Sequence, residues 1–143
     1  MDRLLILRKL RELERYTKEL KRLRGKSLEH LRASLAASWA VEHGLQLAIQ
    51  VTIDVGNHIL VSLEEHQIEE YVDVIDKLGT RGILPKTFAQ QIREMAGFRN
   101  LLVHEYAEVD LEKVHGFLKT RLGDFSEFAR YIRRYLKKPG RKS

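Results

Sequence analysis

The segment LAASWAVEHGLQLAIQVTIDVGNHILVSL, residues 35–63, decides the fold because it continues without a proline for about eight turns of helix. One stripe of this segment recurs at steps of three and four residues, which is the period of a helix face. The stripe consists of Leu45, Ala48, Ile49, Thr52, Val55, Ile59, Leu60 and Leu63. We therefore predict one long central helix, with Gly44 and Gly56 allowing a neighbouring element to pack closely.

The same period continues on both sides of the central segment. It predicts further helices at residues 3–24, 28–33, 67–78, 85 to about 106, and 110–136. Ser27, Ser34 and Asp110 stand where N-cap residues are expected, and Gly123 is a candidate kink. Because the connections are short, we predict an all-α fold, an antiparallel bundle of about five helices. We expect one domain at residues 1–136 and a disordered basic tail at 137–143.

The composition is that of an ordinary globular protein. With 143 residues, of which 43% are hydrophobic, the chain has the length of one domain and enough apolar side chains for a sizeable core. It contains no cysteine, which excludes disulfides, thiolate-bound metals and thiol nucleophiles. No apolar run is long enough for a signal peptide or a membrane span. We therefore expect a cytoplasmic protein without a membrane partner.

The net charge of +6 is unevenly distributed along the chain. Residues 1–26 carry ten basic and four acidic side chains, and residues 137–143 carry a net charge of +4. Residues 27–136 have a net charge of −4. Basic charge at the two ends is consistent with binding a polyanion such as RNA, although a solvated helix face and a charged tail would have the same composition.

Polar side chains recur every four residues on the central helix. We name this set the polar seam, and its members are Glu42, Gln46, Gln50 and Asp54, continued by Asn57 and His58. Such a seam faces either solvent or a partner. Short polar residues are mediocre helix formers, so Asp54 and Asn57 in mid-helix indicate hydrogen bonds to something specific.

The segment FRNLLVHEY, residues 98–106, concentrates the groups that could carry chemistry. Arg99 can hold a phosphate through a planar bidentate contact, and His104 can both accept and donate a proton near neutral pH. These two functions are the ones that RNA cleavage by a ribose 2′-hydroxyl requires. Asn100 lies four residues before His104, so on a helix its amide would reach the imidazole. The alternative is a helix-end histidine that interacts with the last carbonyl groups.

The spacing Arg-x4-His-x-Tyr, from Arg99 through His104 to Tyr106, resembles the motif of HepT-like toxins, a branch of the HEPN superfamily of helical ribonucleases. The similarity extends in the same order to residues 40–49, 53–60, 82–84 and 106–110. The resemblance implies a homodimer that brings two copies of the motif into one cleft and cleaves RNA without a metal ion or other cofactor.

The resemblance also assigns roles to individual residues. Arg99 and His104 would be catalytic, with Asn100 and Asp54 as supporting polar groups. On a regular helix Arg99 and His104 point about 140° apart, so a second subunit would bring the two groups together. The implied partner is an MntA-like nucleotidyltransferase antitoxin, which neutralises a type VII-like toxin by attaching AMP to the motif tyrosine, here Tyr106. A higher hetero-oligomer with the antitoxin is also implied.

Two other functions remain open from the sequence. A helical binding module without catalytic activity would contact a nucleotidyltransferase or nucleic acid through the same fold. A histidine phosphotransfer bundle would need an exposed histidine in mid-helix, for which His58 is the candidate.

Overall fold

A computed structural model describes residues 1–103 and 109–138, and these residues form eight α-helices without a strand. The helices are α1 Arg3–Leu23, α2 Leu28–Ala33, α3 Leu35–Ser62, α4 Tyr71–Thr80, α5 Lys86–Ile92, α6 Glu94–Leu102, α7 Leu111–Thr120 and α8 Leu122–Lys137. The all-α prediction is confirmed, and α3 is the long central helix. None of the helices in the described ranges combines the length and apolarity that a bilayer span needs.

Side-chain caps begin four of these helices. Asp2 Oδ1 accepts a hydrogen bond from Leu5 N, and Ser27 Oγ accepts one from His30 N, each at 3.0 Å. Ser34 Oγ accepts from Ala37 N at 3.1 Å, and Asp110 Oδ1 accepts from Glu112 N at 3.1 Å. These bonds satisfy N–H groups that a helix start leaves without partners, so the three predicted caps at Ser27, Ser34 and Asp110 are confirmed.

Two predicted helices are each divided into two. The helix expected from residue 85 divides at Arg93. Here hydrogen bonds of the 3₁₀ type, to the residue three positions earlier, replace those of an α-helix: Arg93 N donates to Gln90 O, and Ala96 N donates to Arg93 O. The helix expected from residue 110 divides at Arg121, whose backbone has φ −117° and ψ 0°. Gly123, the expected kink, lies inside α8 instead.

The largest contact in the fold is between α1 and α3, which run antiparallel. Asp2 N donates to His58 Nε2 at one end of the pair, and Leu20 packs against Gly44 at the other. Helix α8 lies antiparallel to α1 on another side, with Arg3 Nη1 donating to Leu136 O at 2.5 Å. Between these helices lies a core of fully buried side chains, among them Ile6, Leu10, Leu13, Leu45, Ile49, Ile59, Phe125 and Phe128.

Gly56 places α4 directly on α3. A Cβ atom at this position would lie 2.8 Å from both Val74 Cγ1 and Leu78 Cδ1. At Gly44 the corresponding distance to Leu20 Cδ2 would be 2.9 Å. Both glycines therefore allow the close helix packing predicted for them, and Gly56 fixes the distance between the two helices that line the groove described next.

Candidate active site around Arg99

A groove of about 840 Å³ opens between α3, α4 and α6. Its polar lining includes Asp54 and Asn57 from α3, Tyr71 from the start of α4, and Asn100 from α6. Gly97 on α6 leaves one wall without a side chain. The volume is in the range of small-molecule sites and suits a group of nucleotide size. The structure thus brings Asp54, Asn57 and Tyr71, which come from distant segments, beside Asn100. Asp54 and Asn57 belong to the polar seam.

Arg99 borders this groove through its contact with Tyr71. The guanidinium carbon of Arg99 lies 4.6 Å from the centroid of the Tyr71 ring, within the range of a cation–π contact. Arg99 Nε is buried, and among the described residues no atom accepts a hydrogen bond from it. A buried N–H group without an acceptor is uncommon and usually has an explanation in function or in a missing ligand.

The first residue of α4 is Tyr71, and hydrogen bonds just before it fix its position. Asp73 Oδ2 accepts from Glu70 N at 2.9 Å and from Glu69 N at 3.0 Å. These backbone bonds, with the one from Glu70 as the larger cause, lower the pKa of Asp73 below its usual 3.8. The ring of Tyr71 is therefore held at a defined helix start, from which it meets Arg99.

Sequence reasoning missed the role of Tyr71. The sequence predicted a helix at residues 67–78 with Tyr71 as one of its apolar positions, whereas α4 begins at Tyr71 itself. Nothing in the local sequence links this tyrosine to an arginine on another helix. Gly56 lets α4 lie close to α3, and Tyr71 at the start of α4 contacts Arg99 on α6.

Half-buried side chains make up most of the polar seam, rather than fully solvated ones. Gln50 Nε2 donates to Asp54 Oδ1 at 2.9 Å, which orients the Asp54 carboxylate at the groove. Burial raises the pKa of Glu42, one helical turn from Gln46. Asp54 therefore has a specific hydrogen-bond partner, as its position in mid-helix predicted, whereas Asn57 is exposed and has no such partner among the described residues.

His58, the last residue of the polar seam, bonds the start of α1. It is half buried, and its Nε2 accepts a hydrogen bond from Asp2 N at 3.2 Å. A phosphotransfer histidine has to be exposed in mid-helix, whereas the ring of His58 is half buried and one of its nitrogens is already bonded. The contact with the start of α1 therefore argues against that alternative.

Acidic side chains surround the rest of the groove. Glu69, Glu70 and Glu94 are exposed along it, and Arg93 is engaged by Asp76 at 2.7 Å. The guanidinium of Arg99 has no carboxylate within 4.0 Å in the described part of the chain. Arg99 is therefore a candidate for binding an anion, whereas the groove beside it favours an uncharged group with N–H donors.

His104 and Tyr106 lie outside the described residues. Helix α6 ends at Leu102, and Val103 N donates to Arg99 O at 3.2 Å, whereas the sequence predicted a helix that frays near Tyr106. The expected hydrogen bond between Asn100 and His104 also falls outside the described part. Within residues 1–103 and 109–138, no group of three or more His, Asp or Glu side chains is arranged to hold a metal ion.

Comparison with known proteins gives one family and two relatives that match over nine-tenths or more of this chain. A family model described as Ribonuclease HepT-like matches residues 6–132. The tRNA nuclease HepT of Aphanizomenon flos-aquae is 31% identical over 136 residues, which cover 95% of this chain and 92% of that protein. The mRNA nuclease HepT of Shewanella oneidensis is 23% identical over 129 residues, covering 90% of this chain and 96% of that protein.

A solved structure has the same fold. It is the tri-AMPylated Shewanella oneidensis HEPN toxin in complex with MNT antitoxin, and it matches with a TM-score of 0.82 at 23% sequence identity. The match covers 94% of this chain and 99% of that chain. At this level of identity the likeness establishes the common fold.

Proposed function

The chain belongs to the ribonuclease HepT-like family, which confirms the resemblance read from its motif, and on that premise we propose that it is the endoribonuclease toxin of a toxin–antitoxin pair. The observation that carries the proposal is the state of Arg99. Its guanidinium stacks on Tyr71, has no carboxylate partner among the described residues, and borders a groove of nucleotide size. An arginine held in this way is prepared to bind a phosphate.

The proposed reaction is phosphodiester cleavage by transfer within the RNA. The ribose 2′-hydroxyl loses its proton to His104 and its oxygen attacks the adjacent phosphorus, while the bond from phosphorus to the 5′-oxygen breaks. The leaving 5′-oxygen takes a proton from the His104 imidazolium, which returns the imidazole to its neutral form, and the products are a 2′,3′-cyclic phosphate and a 5′-hydroxyl. Arg99 stabilises the negative charge that builds on the phosphate oxygens, so the mechanism assigns no step to a metal ion.

Polar side chains beside Arg99 would position a nucleoside of the substrate. Asn100 lies at the groove next to Arg99, and Asp54 is oriented there by Gln50. Carboxylate and amide oxygens accept hydrogen bonds from nucleobase N–H groups, so these residues suit the nucleoside next to the cleaved phosphate. The exposed carboxylates around the groove disfavour a second phosphate there.

We place the complete site at the cleft of a homodimer. Arg99 and His104 are five residues apart, and on a helix they would diverge by about 140°, so one subunit alone does not aim both groups at one phosphate. A two-fold axis beside the motif brings Arg99 of one subunit opposite His104 of the partner subunit.

Neutralisation is proposed to occur at Tyr106. The solved relative is described as tri-AMPylated and bound to its antitoxin, which supports a nucleotidyltransferase as the partner here. AMP on Tyr106 would add a bulky anion two residues from His104, and it would block the phosphate and repel RNA.

Product analysis tests the proposed function directly. Purified chain is incubated with a radiolabelled RNA in EDTA, and the termini of the fragments are identified. We expect 2′,3′-cyclic phosphate ends, and no fragments with Arg99→Ala or His104→Ala of unchanged melting temperature. A folded wild-type protein that binds RNA and never cuts it would instead establish the binding module without catalysis.

A further inference from the structure

The end of α8 presents a row of cations that the Arg99 site does not use. We name it the α8 strip, and it consists of Arg130, Arg133, Arg134, Lys137 and Lys138. Four of these side chains are exposed, and Arg133 is half buried. The sequence placed basic charge on α1 and on residues 137–143, which include Lys137 and Lys138. It missed the three arginines of the strip because carboxylates elsewhere in residues 27–136 outnumber the cations there.

Few carboxylates neutralise the positive charge of the strip. Arg133 pairs with Glu14 on α1, and Arg130 is 3.7 Å from Glu127 one turn earlier. For Arg134, Lys137 and Lys138, no carboxylate lies within 4.0 Å in the part of the chain that the structure describes. The strip is therefore a net positive surface, available to an external anion.

Tyr131 fixes two of these cations. The guanidinium carbons of Arg130 and Arg134 lie 4.9 Å and 5.7 Å from the centroid of its ring. The ring itself packs against Phe88, with 5.0 Å between the centroids. Charges held on an anchored aromatic ring lose less side-chain freedom on binding than charges on free side chains do.

The surface is concave on both sides of the strip. A groove of about 520 Å³ between α1 and α8 is lined by Arg130, Arg133, Arg134 and Lys137. A second groove, of about 330 Å³, lies between α8 and residues 79–86 and is lined by Lys86, Tyr131, Arg134 and Lys138. Cationic side chains that line both grooves attract the phosphate backbone of a nucleic acid.

The strip is distant from the Arg99 groove along α8. Arg121, at the start of α8, bonds Glu94 on the groove at 2.9 Å. At about 1.5 Å per residue, the middle of the strip lies roughly 20 Å further along the helix. RNA held at Arg99 must therefore extend by roughly six stacked nucleotides, at about 3.4 Å each, to reach it.

We propose that the α8 strip is a second RNA-contacting surface, which binds the phosphate backbone of a long folded RNA away from the cleaved bond. The inference rests on the proposed ribonuclease function. Phosphate contacts position an RNA without reading its sequence, so the strip selects RNAs by their size and fold. A lipid surface fits less well, because membrane-binding helices combine cations with exposed apolar side chains and none of the exposed large hydrophobics in the described residues lies on α8.

The test compares two variants on two substrates. The strip variant is Arg130→Gln/Arg134→Gln/Lys137→Gln, and the matched control is Arg32→Gln/Lys113→Gln/Lys119→Gln, which removes the same charge from α2 and α7. With a tRNA transcript, we expect the strip variant to have a KM raised about tenfold at unchanged kcat. With a single-stranded oligonucleotide too short to reach the strip, we expect both variants to resemble the wild type.

Equilibrium binding of the same tRNA at several salt concentrations separates this inference from the proposed function. The slope of log K against log salt should fall by about two for the strip variant, since three phosphate contacts are lost, and should be unchanged in the control. An unchanged slope, or an equal loss in both variants, would overturn the proposal. A wild type that cuts neither RNA refutes the ribonuclease function, while the slope still decides whether the strip binds RNA.

Discussion

The guanidinium of Arg99 lies 4.6 Å above the ring of Tyr71, on a helix that the sequence does not connect with the motif. The ring can hold the cation while both terminal nitrogens remain available to phosphate. We predict that Tyr71→Leu lowers kcat/KM for RNA cleavage by about 2- to 30-fold, which corresponds to a cation–π contact of about 0.5 to 2 kcal/mol.

Tyr71→Phe is the matched control, because it keeps the ring and removes the hydroxyl. It should retain nearly the full kcat/KM, with a melting temperature close to that of Tyr71→Leu. Equal losses of activity in the two variants would show that the ring face is not what positions Arg99.

Gly56 should be intolerant of a side chain. A Cβ atom there would meet Val74 and Leu78 at 2.8 Å, and overpacking of this kind typically costs about 1 to 3 kcal/mol. We expect Gly56→Ala to lower the free energy of unfolding by that amount in urea titrations. Gly116→Ala on α7, where nothing lies within 4 Å of the added atom, should be neutral or stabilising by up to about 1 kcal/mol. A stabilised Gly56→Ala protein would contradict the observed spacing of α3 and α4.

Asp73 should make the stability of α4 depend on pH. Its folded-state pKa is lowered by the N–H groups of Glu70 and Glu69, so its contribution is present above the usual 3.8 and is lost as pH falls through the folded value. Asp73→Asn resembles the protonated group. We expect this variant to unfold more easily than wild type at neutral pH and equally easily well below 3.8. A difference that is independent of pH would rule out the carboxylate charge as its cause.

The sequence predicted the features that depend on local chemistry. Caps such as Ser34 and Asp110 satisfy nearby N–H groups, and the apolar period of residues 35–63 needs no distant partner to be recognised. The breaks at Arg93 and Arg121 were missed because tertiary contacts accompany them. Arg93 binds Asp76 on α4, and Arg121 donates to Gln91 O and to Glu94.

In the candidate site, too, the sequence predicted individual residues but not the tertiary contacts between them. Arg99, Asn100 and Asp54 were predicted as site residues from residue type, spacing and the family resemblance, and the structure places Asn100 and Asp54 in one groove that Arg99 borders. Tyr71 could not be identified, because its role arises only from the approach of α4 to α6. His104 and Tyr106 remain predictions from the motif.

Tyr106 should be the residue that the antitoxin modifies. Co-expression with an adjacent nucleotidyltransferase should increase the intact mass of the toxin by whole AMP units. The modified protein should lose RNA cleavage, since the added anion repels phosphate. Tyr106→Phe should show no mass increase, whereas Tyr71→Phe should be modified like the wild type. AMP on the Tyr106→Phe protein would place the modification elsewhere.

The central claim is that Arg99 and His104 act together on one RNA phosphate across a two-fold axis. The most direct measurement uses a heterodimer of Arg99→Ala and His104→Ala subunits, purified through two different tags. Each variant homodimer should be inactive, with kcat/KM lowered about 100-fold or more. The heterodimer retains one intact pair, so we predict about half of the wild-type activity per dimer. A doubly tagged heterodimer as inactive as both homodimers would contradict the account.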